Sequence, residues 1–416
     1  MTEPTRYIGM DVHKETIVIA IAVEHDRGKA TLYGTIQNTK NALNLCVEKL
    51  HRANPGPLRF CYEAGPCGYG IHRALTAMGQ DCVVIAPSLT PRRPGERHKT
   101  DTRDAADLAT LLRAGLLTPI WVPDAAHEAM RDLVRARQAS VRAVRTARQQ
   151  LSAFLLRHDR RYTTGRQAWT LAHRRWLSEL TFEQPAQHIV LEEAIAAVRH
   201  SEAHRDRMDA HLRAALPGWS LYPLVCALTA LRGIDVIAAA GLAAAIGDPS
   251  RFASAPDFMG YLGLVPSEHS SDLRRRLGAI TKAGDVHART LLIEAAWSYR
   301  LPARISRTKL ARLEGVPDAV QALAWKAQTR LCARYRTLIA RGKSKQVVVT
   351  AIARELAGFV WAIAQAVRLG VCPGSPAPRA AQTGTMEAAV PGAGGGQTRT
   401  GCNRVPGRTR KQPGAD

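Results

Sequence analysis

The 416-residue chain is short of acid: its 35 Asp and Glu face 58 Lys and Arg, a formal charge of +23 at pH 7. Such an imbalance attracts polyanions and repels itself in the compact state unless one is bound. Nucleic acid is the expected partner. A membrane surface is the other polyanion, but no apolar run of about 18 residues stands out, and the opening Met-Thr-Glu-Pro-Thr-Arg has no signal-peptide layout. The expectation is therefore a soluble chain in the cytoplasm with no membrane partner. The eight cysteines include no C-x-x-C pair, so neither a zinc ribbon nor a disulfide framework is indicated, and reduced, mostly buried thiols are expected.

At this length two or three domains with their own cores are possible. Residues 7–11 read as a short strand, 16–23 (TIVIAIAV) as a nearly continuous apolar second one, and 30–36 as a third after the Asp26-Arg27-Gly28-Lys29 turn. A helix is expected over 41–53, a strand over 58–63 stopped by Ala64-Gly65-Pro66, a helix over 70–78 and a strand over 81–86 closed by Pro87. A basic, Pro-rich loop follows, then a helix opened by Lys99-Thr100-Asp101-Thr102-Arg103-Asp104-Ala105. Three strands, helix, strand, helix, strand, helix is the succession of a ribonuclease-H-like α/β fold with a mixed sheet.

Four carboxylates converge in that topology. Asp101 and Asp104, three apart, share one helical face, and Asp11 and Glu63 stand where the first and fourth strands end. Each alone has an ordinary reading: a cap or a dipole partner for the helical pair, a turn-former for Asp11, a strand-end charge for Glu63. Together they could not all stay ionised without cations. Hard divalent ions such as Mg²⁺ take such oxygens, and two of them could clamp both oxygens of a phosphodiester under attack.

From residue 125 to 156 the pattern becomes one long helix. Met130, Val134, Arg137, Val141, Val144, Arg148, Leu151 and Leu155 step by four and three, a coiled-coil seam, flanked by Arg131, Arg135, Arg142 and Arg145 that could hold a phosphate backbone. A solvated basic face on a hairpin within the chain is the other reading. Helical segments are expected over 168–180 and 192–216, broken by Pro217-Gly218-Trp219. In the next region Leu231-Arg232-Gly233-Ile234-Asp235 suggests a phosphate-meeting turn between helices, with Asp235 where a second glycine would be wanted. Pro266-Ser267-Glu268-His269-Ser270-Ser271-Asp272 precedes Arg274, Arg275 and Arg276 and then Thr281-Lys282-Ala283-Gly284, so a serine hydroxyl lies in sequence beside cations suited to a phosphodiester. Amphipathic helices are expected over 291–299, 319–338 and 347–369, and a disordered basic tail after Gly370. The domain reading is 1–124 catalytic α/β, 125–216 helical, 217–370 mainly helical and 371–416 tail.

Gly9-Met10-Asp11-Val12-His13-Lys14, Tyr62-Glu63-Ala64, the Lys99 to Ala105 stretch and the block from Gly260-Tyr261-Leu262-Gly263-Leu264-Val265-Pro266 to Ile280-Thr281-Lys282-Ala283-Gly284 together resemble the DEDD transposases of a bacterial insertion-sequence family, the bridge-RNA-guided recombinases. The resemblance covers residues 7–369. It implies a RuvC-like N-terminal domain whose Mg²⁺-binding acids correspond to Asp11, Glu63, Asp101 and Asp104, and a C-terminal transposase domain with a serine nucleophile. The family has Ser-Gly where this chain has Ser271-Asp272, which makes Ser271 the first choice and Ser270 the second. It further implies donor and target DNA, a non-coding bridge RNA, a homo-oligomer (dimer or tetramer) joined through the coiled coil, and a bacterial cytoplasm with association to the nucleoid on DNA.

Three other readings stay open. One is a structure-selective endonuclease of the Holliday-junction type, hydrolysing with the carboxylates alone. Another is an inactive nucleic-acid-binding relative. The third is an actin-like ATPase or sugar kinase, since Gly9-Met10-Asp11 also resembles a first phosphate loop, although the further Gly-rich loops of such folds are not found.

Overall fold

The computed structural model describes residues 3–26, 28–91, 100–163, 168–268, 276–305, 310 and 313–370. Strands β1 (Arg6–Val12), β2 (Thr16–Val23), β3 (Thr31–Gln37), β4 (Leu58–Glu63) and β5 (Asp81–Ile85) form one mixed sheet in the order β3-β2-β1-β4-β5. β1 pairs antiparallel with β2 and parallel with β4; β4 is parallel to β5. Helices α1 (Lys40–Ala53), α2 (Gly70–Ala77) and α3 (Asp101–Arg113) complete this half. It has the mixed sheet and strand order expected of a ribonuclease-H-like domain.

The period of two assigns each face its cover. Ile8, Met10, Ile17, Ile19, Phe60, Tyr62, Cys82 and Val84 point to one side and pack with Leu43, Val47 and Leu50 of α1 and Ile71 and Leu75 of α2. The opposite side is lined with small residues where it meets α3. Ala20 and Ala22 pack on Ala105 and Ala109, Cys61 and Ile85 on Leu108. At Gly9 the helix backbone itself touches the strand: a Cβ there would lie 2.2 Å from the Ala105 carbonyl oxygen and 2.4 Å from the Ala109 nitrogen.

α4 (Ala125–Arg157) and α6 (Pro185–Ala215) form an antiparallel pair, with α5 (Leu171–Glu179) beside them. The seam read in the sequence is engaged within the chain. Arg137 Nε donates to Asp209 Oδ1 at 2.7 Å, and Arg148 pairs with Glu202. Arg174 of α5 clamps the same Glu202 with two nitrogens, each at 2.8 Å. Arginine at a seam position is thus stable here because a carboxylate from α6 meets it. α6 begins at Pro185, seven residues before the expected start, with proline at a helix position where no amide donor is needed.

The distal region packs α7 (Tyr222–Leu228), α8 (Val236–Ile246), α9 (Ala255–Tyr261), α10 (Val286–Ala296), α11 (Asp318–Ala340) and α12 (Lys345–Arg368) around one apolar core. α12 is long and apolar enough to cross a membrane, against the expectation that no such run exists. Val348, Val349, Ile352, Leu356, Val360 and Ile363 are nevertheless buried against α7, α9, α10 and α11. Asp235 accepts from the Ala238 amide as the N-cap of α8, and a Cβ on Gly233 would lie 2.6 Å from the Ala295 carbonyl, so the turn thought to meet phosphate is packed against α10. A short hairpin absent from the sequence reading, β6 (Pro266–Glu268) and β7 (Leu277–Ile280), joins the mainly helical set. The 371–416 tail lies outside the described residues.

Among the described cysteines, Cys46, Cys61, Cys67, Cys82, Cys226 and Cys332 are free thiols. Burial pushes the Cys82 thiol up to about 12, so it is an inert filler at ordinary pH.

Candidate active site

β1 and β4 are parallel neighbours with Met10 opposite Tyr62. Asp11 and Glu63 are the next residues along, on the side where Gly9 and Cys61 receive α3. The small-residue contact presses α3 onto this face just behind its first turn, which carries Asp101 and Asp104. Thr100 is the residue before the helix, and Asp101 opens it. The strand ends and the helix start are therefore held at one place by Gly9, Ala105 and Ala109.

Asp11, His13 and Asp101 each offer a ligand atom within 4.8 Å of the others. His13 Nε2 lies 3.2 Å from Asp11 Oδ2 and 3.3 Å from Asp101 Oδ2. Burial first, then the charges of Asp101 and Asp104, raise the Asp11 carboxyl above its usual range, while His13 pulls the other way. Asp104 is thus close enough to act on Asp11. Glu63 is half-buried, and its Oε1 accepts from the Thr90 hydroxyl at 3.0 Å.

Two carboxylate oxygens and an imidazole nitrogen converging beside a third carboxylate form a donor set that fits a divalent cation. A cation there would offset both the burial and the neighbouring negative charge that raise the Asp11 carboxyl. His13 was not among the residues expected from the sequence. Its signal was present in the Asp11-Val12-His13 spacing, but only the β1–β2 turn brings it back over Asp11: the His13 amide donates to Thr16 O at 2.9 Å.

Of the other expected site residues, Ser270, Ser271, Arg274 and Arg275 lie outside the described residues. The segments on either side of them are tightly joined. Thr281 N donates to Val265 O, Lys282 N to Gly263 O, and the buried Arg289 donates to Leu262 O and Ala283 O. Gly263 and Gly284, both at positive φ, allow this approach; a Cβ on Gly284 would lie 1.8 Å from Tyr261 O. Arg276 and Lys282 are exposed. On α4, Arg131 is half-buried, Arg135 is exposed and 3.5 Å from Asp132, and Arg142 and Arg145 are exposed. Arg145 lines an open cavity of about 480 Å³ with Arg148, Arg205 and Trp169.

The known proteins that this chain resembles are transposases. The DEDD model of the IS110 group, described as Transposase, matches residues 8–158, and the model described as Transposase IS116/IS110/IS902 family matches residues 226–309. The chain is 49% identical over 363 residues to the putative transposase y4qE of Sinorhizobium fredii, covering 87% of this chain and 89% of that one. It is 30% identical over 334 residues to the transposase for insertion sequence element IS1533 of Leptospira borgpetersenii, covering 80% and 96%. A probable family 20 transposase of Pseudomonas aeruginosa is 32% identical over 235 residues, 54% of this chain and 66% of that one.

Proposed function

The chain belongs to the IS110 family of transposases, and from that premise we propose that it cuts and rejoins DNA strands with four carboxylates and a serine drawn from two parts of the molecule. The observation that carries this reading is the convergence of Asp11, Asp101 and His13 within 4.8 Å, with Asp104 acting on Asp11. Asp11, Glu63, Asp101 and Asp104 would hold divalent cations, Mg²⁺ being the first candidate, and these would supply charge stabilisation to the phosphoryl oxygens. The Ser271 hydroxyl, or that of Ser270, attacks the scissile phosphorus. A serine Oγ–P bond replaces the bond to the sugar oxygen, which leaves with the hydroxyl proton. The phosphoserine keeps the bond energy, so rejoining needs no nucleotide. Exposed Lys282, Arg276, Arg142 and Arg145, with Arg131, Arg135, Arg274 and Arg275, are assigned to phosphate backbones.

In this reading donor and target DNA are the substrates, a non-coding bridge RNA selects them, and the chain works as a dimer or tetramer in the bacterial cytoplasm. The division 1–124, 125–216, 217–370 and 371–416 separates metal-binding, helical, serine-bearing and tail segments.

The test is trapping of the reaction on cognate DNA. The expected result is a covalent protein–DNA adduct that is lost when Ser270 and Ser271 are both changed to Ala, and loss of cleavage in a folded Asp104→Asn variant. Cleavage without an adduct, unaffected by the serine changes, would replace this reading with hydrolysis by the carboxylates alone.

A further inference from the structure

We propose that the His13 imidazole is itself a metal ligand, sharing one divalent ion with Asp11 and Asp101, and that its nitrogen biases this position toward Mn²⁺ or Co²⁺ over Mg²⁺. The inference rests on the reading of the four acids as cation ligands and adds a residue and a metal preference to it.

The donor spacing is the first support. Two ligands at right angles around an ion, each bonded at about 2.1–2.2 Å, lie about 3.0–3.1 Å apart. His13 Nε2 stands 3.2 Å and 3.3 Å from one oxygen of each of two carboxylates. The same nitrogen meets both oxygens at once, one from the end of β1 and one from the start of α3, and all three ligand atoms lie within 4.8 Å of one another, close enough for one ion to replace these direct contacts.

The residue is also held for that task at the backbone. Its amide donates to Thr16 O at 2.9 Å, and its carbonyl accepts from Asn38 Nδ2 at 2.8 Å. Asn38 is fixed in turn by its own amide on Glu15 O at 2.9 Å. The ring thus projects from a tight β1–β2 turn tied to the end of β3, which reduces the ordering cost of ligation.

The chemistry then divides the site. Mg²⁺ prefers oxygen and retains water, whereas first-row transition-metal dications accept an imidazole nitrogen more readily, Co²⁺ more strongly than Mn²⁺. Asp11, His13 and Asp101 supply two oxygens and a nitrogen; Glu63 and Asp104 supply oxygen only. The position beside His13 is therefore the one where Mn²⁺ or Co²⁺ outcompetes Mg²⁺.

The experiment is Mn²⁺ binding to the full-length protein without DNA, followed by electron paramagnetic resonance with spin-echo detection of ¹⁴N coupling. It compares wild type with His13→Ala, His13→Asn, Asp101→Asn and Asp104→Asn, each checked by circular dichroism and thermal melting. The expected result is a coordinated-imidazole ¹⁴N signal in wild type. Both His13 variants lose it, Mn²⁺ Kd rises about tenfold or more in them, and Mg²⁺ affinity by competition changes less than about threefold. His13→Asn serves if the alanine variant disturbs the turn. If Asp101→Asn loses Mn²⁺ while the His13 variants keep both affinity and nitrogen signal, the His13 proposal fails and the acids stand. If neither Asp variant weakens Mn²⁺ binding, the reading of the acids fails and takes the proposal with it.

Discussion

Replacing Gly9 with alanine is the smallest change that separates the acids without altering any of them. The added Cβ would lie 2.2 Å from the Ala105 carbonyl oxygen and 2.4 Å from the Ala109 nitrogen. An ordinary C···O contact is about 3.3 Å, so α3 must retreat from the sheet by about 1 Å. Both neighbours are helix backbone, which cannot swing aside as a side chain can. Overpacking of this kind costs about 1–3 kcal/mol, small enough to leave the protein folded. The chemical cost is larger, because Asp101 and Asp104 ride on the displaced helix while Asp11 stays on β1. A misplacement of about 1 Å lowers rate on the order of a hundredfold. Single-turnover cleavage of cognate DNA should fall by about that factor in Gly9→Ala, with weaker Mn²⁺ binding and a melting temperature a few degrees lower. Gly70→Ala is the control, since nothing lies within 4 Å of its added Cβ. Wild-type cleavage by a folded Gly9→Ala protein would refute the claim that close packing of α3 sets the site.

Glu202→Gln tests the hairpin. Hydrogen bonds from Arg174, supported by Arg148, hold this carboxylate down from 4.5 to about 2. A carboxyl depressed in the fold adds stability above its free value and loses it as pH falls toward about 2. The variant should therefore cost about 2–3 kcal/mol in urea unfolding near pH 7 and converge with wild type in stability near pH 2 to 3. Arg142→Ala combined with Arg145→Ala should weaken binding to DNA of any sequence and reduce the slope of log K against log salt by about 2, measured by fluorescence anisotropy. Gly247→Val meets Trp121, whose ring carbon would lie 2.6 Å from the new Cβ at a position with φ +60°. It should lower stability by about 2–4 kcal/mol in chemical denaturation.

The sheet was legible because its strands are written in the plainest code available, alternation or saturation with Ile and Val between turn residues. β2 and β4 occupy the expected ranges, Thr16–Val23 and Leu58–Glu63. β6 and β7 were not legible: Pro266–Glu268 and Leu277–Ile280 are too short and too mixed for a period to emerge. The partners of the seam arginines Arg137 and Arg148 were not legible, because Asp209 and Glu202 lie 72 and 54 residues away. At the site, the sequence marks Asp11, Glu63, Asp101 and Asp104 as strand-end and helix-start acids. It hides Gly9, whose importance is the absence of an atom, and His13, whose role depends on a turn folding back. The turn at 231–235 shows the reverse error: Gly233 suggested a phosphate turn, but Asp235, standing where a second glycine would be wanted, caps α8.

The base of α4 is gripped from both sides. Glu128 pairs with Arg73 of α2, and His127, kept neutral by burial, faces the Ala244 carbonyl of α8 at 3.2 Å through Nε2. From that grip the 33 residues of α4 extend about 50 Å as one rod. The rod is anchored at this end to both the α/β half and the distal helices, so a load placed on its far end acts on that grip with a lever arm of about 50 Å. Gly247 packs beneath Trp121 beside that grip, where an added Cβ would lie 2.6 Å from the ring.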